Sequence, residues 1–346
     1  MASFSFSNVH IAGIACAVPT KNTQIMDFSE QFGEKELKKF IKNTGVCSKF
    51  DKSKNQTTAD FCVEAAKALI SKKSLDVKSI DACVFVTQTA DYIQPATAHV
   101  IHKRLGLKTD CMVYDVNLGC SGYIYALQMC ASLLQNGDVN RVLLLTGEIL
   151  REHTGEITKD DLLFGNAGTA TIIEKGNERL RCILKSDGTG YDVLIIRGGG
   201  VRHPYQTGKE DDVNPFMDGA AVFEFTISRV PEVFDEFYNK YNVTSNDYDY
   251  VILHQANLFM LKHIAKKIGI PKEKMPIAMD RFGNTSSASI PLTIVDLCEN
   301  NDLKGKLNLI ASGFGIGLSW GVADFTIDPD DVLPMIYTDE YYKEAY

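Results

Sequence analysis

The chain has no Cys-x-x-Cys pair, one tryptophan among 346 residues, and no apolar run long enough to cross a bilayer. Its nine cysteines (16, 47, 62, 83, 111, 120, 130, 182 and 298) are odd in number and scattered singly through apolar runs. That pattern fits neither a zinc ligand set nor a disulfide framework, so no metal is expected and the thiols are expected to be reduced. The opening MASFSFSNVH lacks the charged and apolar regions of a secretory leader, which makes cytoplasmic the expected location. No basic stripe with interleaved aromatics is present, and a formal charge of -8 with a pI near 5.4 argues against a nucleic-acid partner. What the chain does have is 45% hydrophobic content, enough for one large core or two packed halves.

Apolar periodicity predicts buried strands over Val9 to Ala15, Ala82 to Thr87 and Cys111 to Val116, and helices over Thr58 to Ser71 and Tyr123 to Leu134. Alternation of this kind implies an α/β fold. Two distant segments repeat the order of elements. Ile80 to Leu134 runs strand, polar loop, helix, strand, glycine turn, helix; Tyr250 to Glu299 runs strand, polar loop, helix, short strand, glycine turn, helix. This implies two duplicated halves, 1–175 and 176–346, with the junction near Ile173 to Ile183. The glycine-rich stretches Arg197 to Gln206 and Gly208 to Phe216 read as surface loops without the context of a dinucleotide site. The tail from Asp328 is acidic and rich in tyrosine, and its sequence implies no function.

Cys120 lies in the turn Asn117 Leu118 Gly119 Cys120 Ser121 Gly122, between a strand and a helix. A sulfur at a helix N-terminus is expected to favour its thiolate, and the flanking glycines let a ligand approach. His254, opening a polar loop after a buried strand, and Asn284, in a Gly-Asn-Thr-Ser turn, are candidate donors to a developing enolate oxygen. If the halves pack about a pseudo-twofold axis, the Cys120 and Asn284 turns face one cleft. The run Gly313 Phe314 Gly315 Ile316 Gly317 can pass close to the sulfur and add backbone donors.

The motifs GCSGYIYAL, ILHQANLFML, FGNTSSASIPL, GFGIGLSWG and FGNAGTA resemble those of the β-ketoacyl-acyl-carrier-protein synthase III family, in the family's order, over about Val9 to Thr326. The resemblance implies a thiolase-like five-layered α/β/α/β/α sandwich and an obligate homodimer. It implies an acyltransferase catalysing decarboxylative Claisen condensation, in fatty-acid or a specialised lipid or secondary pathway. It needs no cofactor: acyl and malonyl thioesters are carried on coenzyme A or on the phosphopantetheine of acyl carrier protein. Cys120 matches the acyl-accepting nucleophile, and His254 with Asn284 the pair that promotes malonyl decarboxylation. The N–H groups of Cys120 and Ile316 match the oxyanion hole. Lys266 and Lys267 match a basic patch that receives the carrier, and Phe314 and Gln94 are further candidates for substrate contact. The alternative is an acyltransferase that passes the acyl group to an alcohol or amine without decarboxylation.

Several positions depart from the family pattern. Lys39 and Asn43 stand where a tryptophan and an arginine clasp the coenzyme A adenine, and Phe259 replaces a residue that is often basic. Gln94 replaces an apolar aromatic on the loop Thr87 to Pro95, and Asn166 replaces an aspartate. The loop has no glutamate, and Asp91 is only a weak candidate for a carboxylate base.

Overall fold

The computed structural model describes residues 2–149, 157–159, 161–204 and 214–344. Its strands are β1 (Ala2–Val18), β2 (Lys21–Gln24), β3 (Ser48–Asp51), β4 (Ala82–Val86), β5 (Met112–Val116), β6 (Arg141–Glu148), β7 (Ala167–Lys175), β8 (Glu178–Ser186), β9 (Leu194–Ile195), β10 (Phe216–Met217), β11 (Tyr250–Leu253), β12 (Leu307–Gly315), β13 (Ser319–Ile327) and β14 (Ile336–Tyr337). Its helices are α1 (Ser29–Phe32), α2 (Glu34–Thr44), α3 (Thr58–Lys72), α4 (Thr97–Leu105), α5 (Gly122–Leu133), α6 (Gly219–Tyr241), α7 (Leu258–Ile268), α8 (Met279–Phe282) and α9 (Ser289–Glu299).

The strands run β11-β12-β13-β8-β1-β7-β6-β4-β5. Long β1 joins the two ends: residues from Ala2 to Phe6 pair with β8, and residues from Val9 to Ala17 pair with β7. Counted along the chain, β1, β4, β5, β6 and β7 lie in the spatial order third, second, fourth, fifth, first. In the second set β8, β11, β12 and β13 take the places of the first, second, fourth and fifth. The third place is empty among the described residues. Sequence reasoning put a short strand there, but Gly269 leads instead into a 3-10 turn at Lys272–Lys274 and then α8. Pro271 and Pro276 explain the difference, because each lacks the N–H that a ladder needs.

Five layers result. α3 and α4 cover one face of the first set of strands. Next come α5 and α9, packed between both sets, and α6 covers the far face with α7 against it. The apolar side chains divide accordingly. Tyr123, Ile124, Leu127, Ile290 and Ile294 fill the middle layer. Phe61, Leu69 and Ile101 lie in one outer layer, and Phe234, Phe237 and Leu261 in the other. A helix with apolar residues on nearly every side, such as α9, can only be stable when enclosed in this way.

The ends of β4, β5, α3 and α5 agree with expectation within one residue, whereas β1 starts at Ala2 and ends at Val18, well outside the expected Val9 to Ala15, and β5 is half-buried with Met112 exposed rather than buried. Of the two glycine-rich loops expected across 197–216, residues 205–213 lie outside the described residues. Phe216 is a correction: it pairs with Ile195 in the small β9–β10 ribbon.

Gly168 in β7 is where helix and sheet come closest. A Cβ there would lie 2.5 Å from the Cys62 backbone nitrogen and 2.6 Å from Phe61 Cβ on α3. Gly168→Ala is therefore expected to cost about 1–3 kcal/mol, read as a lower urea midpoint with an unchanged slope. A midpoint equal to wild type would show that α3 is not packed this tightly.

Candidate active site

β5 ends at Val116 and α5 begins at Gly122, so the intervening turn delivers Cys120 to the middle layer from the first half. β12 approaches the same turn from the second half. A Cβ on Gly313 would lie 2.9 Å from Ser121 Cα, and one on Gly315 would lie 2.7 Å from Cys120 Cβ. Only residues without side chains let the strand pass this close. As a result the N–H groups of Ile316 and of Cys120 itself both hydrogen-bond to the Cys120 sulfur.

Asn284 is placed by its neighbours' backbone. Its N–H donates to Leu163 O at 2.8 Å, and its carbonyl accepts from Gly165 N–H at 3.0 Å, so the two Phe-Gly-Asn motifs are bound to each other. Gly283 before it has φ +67° and would bring a Cβ 2.9 Å from Leu163 O, so glycine is required twice over. Asn284 Oδ1 accepts from Ser286 N–H at 2.9 Å, which leaves the amide Nδ2 as the donor beside the cavity. Ser286 holds φ +50°, an uncommon conformation for a residue with a side chain. Its Oγ lies 3.8 Å from Cys120 Sγ.

His254 follows β11 and is 1% exposed. Its backbone N–H donates to Ser312 O at 2.8 Å. The ring is fixed by Nδ1 against Ser289 Oγ at 2.7 Å, by the backbone of Ser286, and by the Phe314 ring edge-on at 5.4 Å. Burial pushes the imidazole pKa down to about 3, so the ring is neutral at physiological pH.

Cys120, Asn284, Ser286 and Ile316 open onto one cavity of about 140 Å³. Phe164, Ile149 and the β9 residues Leu194 and Ile195 with Ile196 supply its apolar wall. The cavity sets the state of the thiol. Burial pushes the Cys120 pKa up, hydrogen bonds from Ser286 and Ile316 pull it back, and the Glu148 carboxylate pushes it up again. The net direction is upward, which reverses the expectation that the helix terminus would leave a thiolate. α5 begins two residues after Cys120, and removal from water outweighs what its dipole offers.

The weaker candidates are placed differently. Phe314 is 2% exposed and packs on His254 rather than lining the cavity. Lys267 Nζ donates to Ile227 O at 3.1 Å, tying α7 to α6, whereas Lys266 is exposed. Gln94 is exposed on its loop beside Ile93, which is 97% exposed. Asp91 turns away from the cavity. Asn166 donates from Nδ2 to Phe50 O at 2.8 Å, a bond that an ionised aspartate could not donate.

Sequence reasoning missed Gln88, Thr89, Glu148 and Ser286 in the cavity wall. Glu148 accepts from Gln88 N–H at 2.5 Å and from the hydroxyls of Thr87 and Thr89 at 3.2 Å each. The only signal for it was a carboxylate at the end of an otherwise apolar strand.

A largely apolar cavity that brings Cys120, Asn284 and Ser286 together, with neutral His254 held against the Ser286 backbone, fits an acyl-transferring enzyme on a thiolase-like fold. Family profiles described as 3-Oxoacyl-[acyl-carrier-protein (ACP)] synthase III match residues 114–188, and the C-terminal profile of the same name matches 238–327. A β-ketoacyl-[acyl-carrier-protein] synthase III of Clostridium perfringens strain 13 is 35% identical over 276 residues, 78% of this chain and 85% of the relative. The enzyme of that name from strain SM101 is 32% identical over 325 residues, 91% of this chain and 98% of the relative. A crystal structure of a 3-oxoacyl-(acyl-carrier protein) synthase from Burkholderia xenovorans LB400 superposes with TM-score 0.91 at 35% identity, over 97% of this chain and 99% of that one. The chain belongs to the 3-oxoacyl-acyl-carrier-protein synthase III family of acyl-transferring condensing enzymes.

The environment of Cys120 has a measurable consequence. Its alkylation by iodoacetamide, followed on the Cys120 peptide, is expected to have a midpoint above the ordinary thiol value of about 8.5. Ser286→Ala removes a donor to the sulfur and is expected to move the midpoint further up. A midpoint unmoved in that variant would show that the contact with Ser286 does not reach the thiolate.

Proposed function

We propose that Cys120 captures the acyl group, and that His254 and Asn284 then stabilise the enolate of a decarboxylating malonyl thioester, in the condensation that defines the family. The observation that carries the assignment is the meeting of Cys120, Asn284, Ser286 and Ile316 on one apolar cavity, with neutral His254 held beneath the same turn.

In the first step the Cys120 sulfur attacks the thioester carbonyl, and the thiol proton leaves with the departing carrier thiol. The N–H groups of Cys120 and Ile316 receive the oxyanion. Malonyl thioester then enters, and breaking its carboxyl bond releases carbon dioxide and leaves an enolate. When Ser289 donates its hydroxyl proton to His254 Nδ1, Nε2 carries the ring proton and is a donor, as is Asn284 Nδ2. The enolate carbon attacks the acyl-cysteine, the carbon–sulfur bond breaks, and the departing thiolate takes up a proton from water to restore the thiol. Neutral donors suit this step, because a charged imidazolium would hold the malonyl carboxylate itself.

The acyl donor is proposed to differ from the family's usual coenzyme A thioester. Lys39 and Asn43 cannot stack on or clasp an adenine as tryptophan and arginine do. Acyl carrier protein is the proposed carrier, with exposed Lys266 as part of its landing surface. A homodimer is proposed through β5, which among the described residues pairs only with β4, and the loop bearing exposed Ile93 and Gln94. The two halves are proposed to divide at the β7–β8 turn, near 175–176. A cytoplasmic location is proposed; no helix among the described residues is long and apolar enough to cross a membrane.

Cys120→Ala is expected to abolish acyl loading while preserving carbon dioxide release from malonyl thioester. The pH profile of that release is expected to be flat between about pH 8 and about pH 5, because His254 begins to protonate only well below its ordinary value of about 6.5. Condensation persisting in Cys120→Ala would overturn the nucleophile. An acid limb near pH 6.5 would overturn the neutral imidazole.

A further inference from the structure

Residues 328–344 lie beyond the family match, which ends at 327, and they return across the first half to the N-terminus of α3. Thr338 N–H donates to Val18 O at 3.0 Å. Gln56, just before α3, donates from Nε2 to Thr338 O at 3.0 Å and to Glu340 O at 3.2 Å. Tyr342 N–H donates to Asp60 Oδ1 at 2.9 Å, and the Tyr342 ring lies 4.9 Å from the Arg104 guanidinium. Arg104 in turn pairs with Asp60 at 2.8 Å, with both side chains buried.

The same helix end grips the cavity wall from its other side. Thr58 Oγ1 lies 2.6 Å from Thr89 Oγ1, and Thr89 lines the cavity beside Cys120. Thr57 hydrogen-bonds the side chain of Asp91, two residues further along that loop. Asp91 Oδ1 and Arg104 Nη1 are both buried without a hydrogen-bond partner, and the two charges act on each other. One turn of helix thus carries the tail on Gln56 and Asp60 and the cavity loop on Thr57 and Thr58.

We propose that the segment Tyr337–Tyr342 is a positioning strap for the cavity loop: by holding Arg104 and Asp60 it holds the N-terminus of α3, and through Thr57 and Thr58 it sets where Gln88 and Thr89 stand against the acyl group. Without the strap the buried Arg104 and Asp60 pair would meet solvent on the side that Tyr342 now covers, and the helix end that carries both threonines would loosen.

Hydrogen exchange on the full chain tests this without any substrate. In Tyr342→Ala the amides of residues 87–95 are expected to exchange roughly two- to fivefold faster, the worth of one exposed cation–π contact, while Tyr342→Phe keeps wild-type rates. Thr58→Val is expected to loosen 87–95 and leave 337–342 protected. If Tyr342→Ala does not fold, Tyr342→Leu, which keeps apolar cover but no ring face, takes its place with the same reading. Faster exchange confined to 337–344 overturns the proposal, because the tail would then be only a staple. A second readout rests on the proposed function: the ratio of Cys120 loading rates for a short and a long acyl thioester is expected to shift by a similar factor in Tyr342→Ala and not in Tyr342→Phe. A wild-type protein that loads neither thioester would remove the functional reading and leave the exchange result standing.

Discussion

The approach of β12 to the Cys120 turn is the contact on which the site depends. Two halves with separate outer cores meet over α5 and α9, and where Gly313 and Gly315 face Ser121 and Cys120 the two backbones come close enough that no Cβ fits between them. A side chain at either glycine would move β12 away from the turn. The sulfur would then lose the Ile316 N–H, and the cavity would lose the wall that Ile316 supplies. The middle layer therefore does two things at once: it buries apolar surface, and it fixes the distance between the Cys120 sulfur from one half and the Ile316 N–H from the other.

Burial of that layer also decides which protonation states are available. In a water-poor cavity a charge without a partner is expensive, so the resting site keeps a thiol and a neutral imidazole. Donors offset that cost locally, since Ser286 and the N–H groups of Ile316 and Cys120 all reach the sulfur, and the Asn284 side chain lines the same cavity. The site is thus poised by the position of hydrogen-bond donors rather than by fixed charges.

Much of this was legible from residue order because its causes are local. Helix and strand periodicity located α3, α5 and α9, and the glycine turns located Cys120 and Asn284. What was not legible has causes that act across the fold. Pro271 and Pro276 cancelled a strand that the repeat demanded, because a missing N–H overrides a topological analogy. The helix N-terminus predicted a lowered thiol pKa for Cys120, and burial reversed the sign. Glu148 and Ser286 carry no motif of their own; they matter because β6 ends, and the Asn284 turn bends, at the wall of the same cavity. Phe314 read as a substrate contact, yet alternation along β12 points it away from the sulfur and onto His254.

The departures from the family pattern gain physical meaning from their neighbours. Asn166 is no loss of charge at the active site, since its amide reaches Phe50 O and so ties the second Phe-Gly-Asn support to β3. Glu148 is a carboxylate on the cavity wall, but its oxygens are taken by the Gln88 amide and two threonine hydroxyls. It therefore holds the loop that carries Gln88 and Thr89 and raises the cost of the Cys120 thiolate. Both residues direct hydrogen bonds to the segments that carry the cavity wall, Asn166 by tying the Phe-Gly-Asn turn to Phe50 O and Glu148 by holding the loop that bears Gln88 and Thr89.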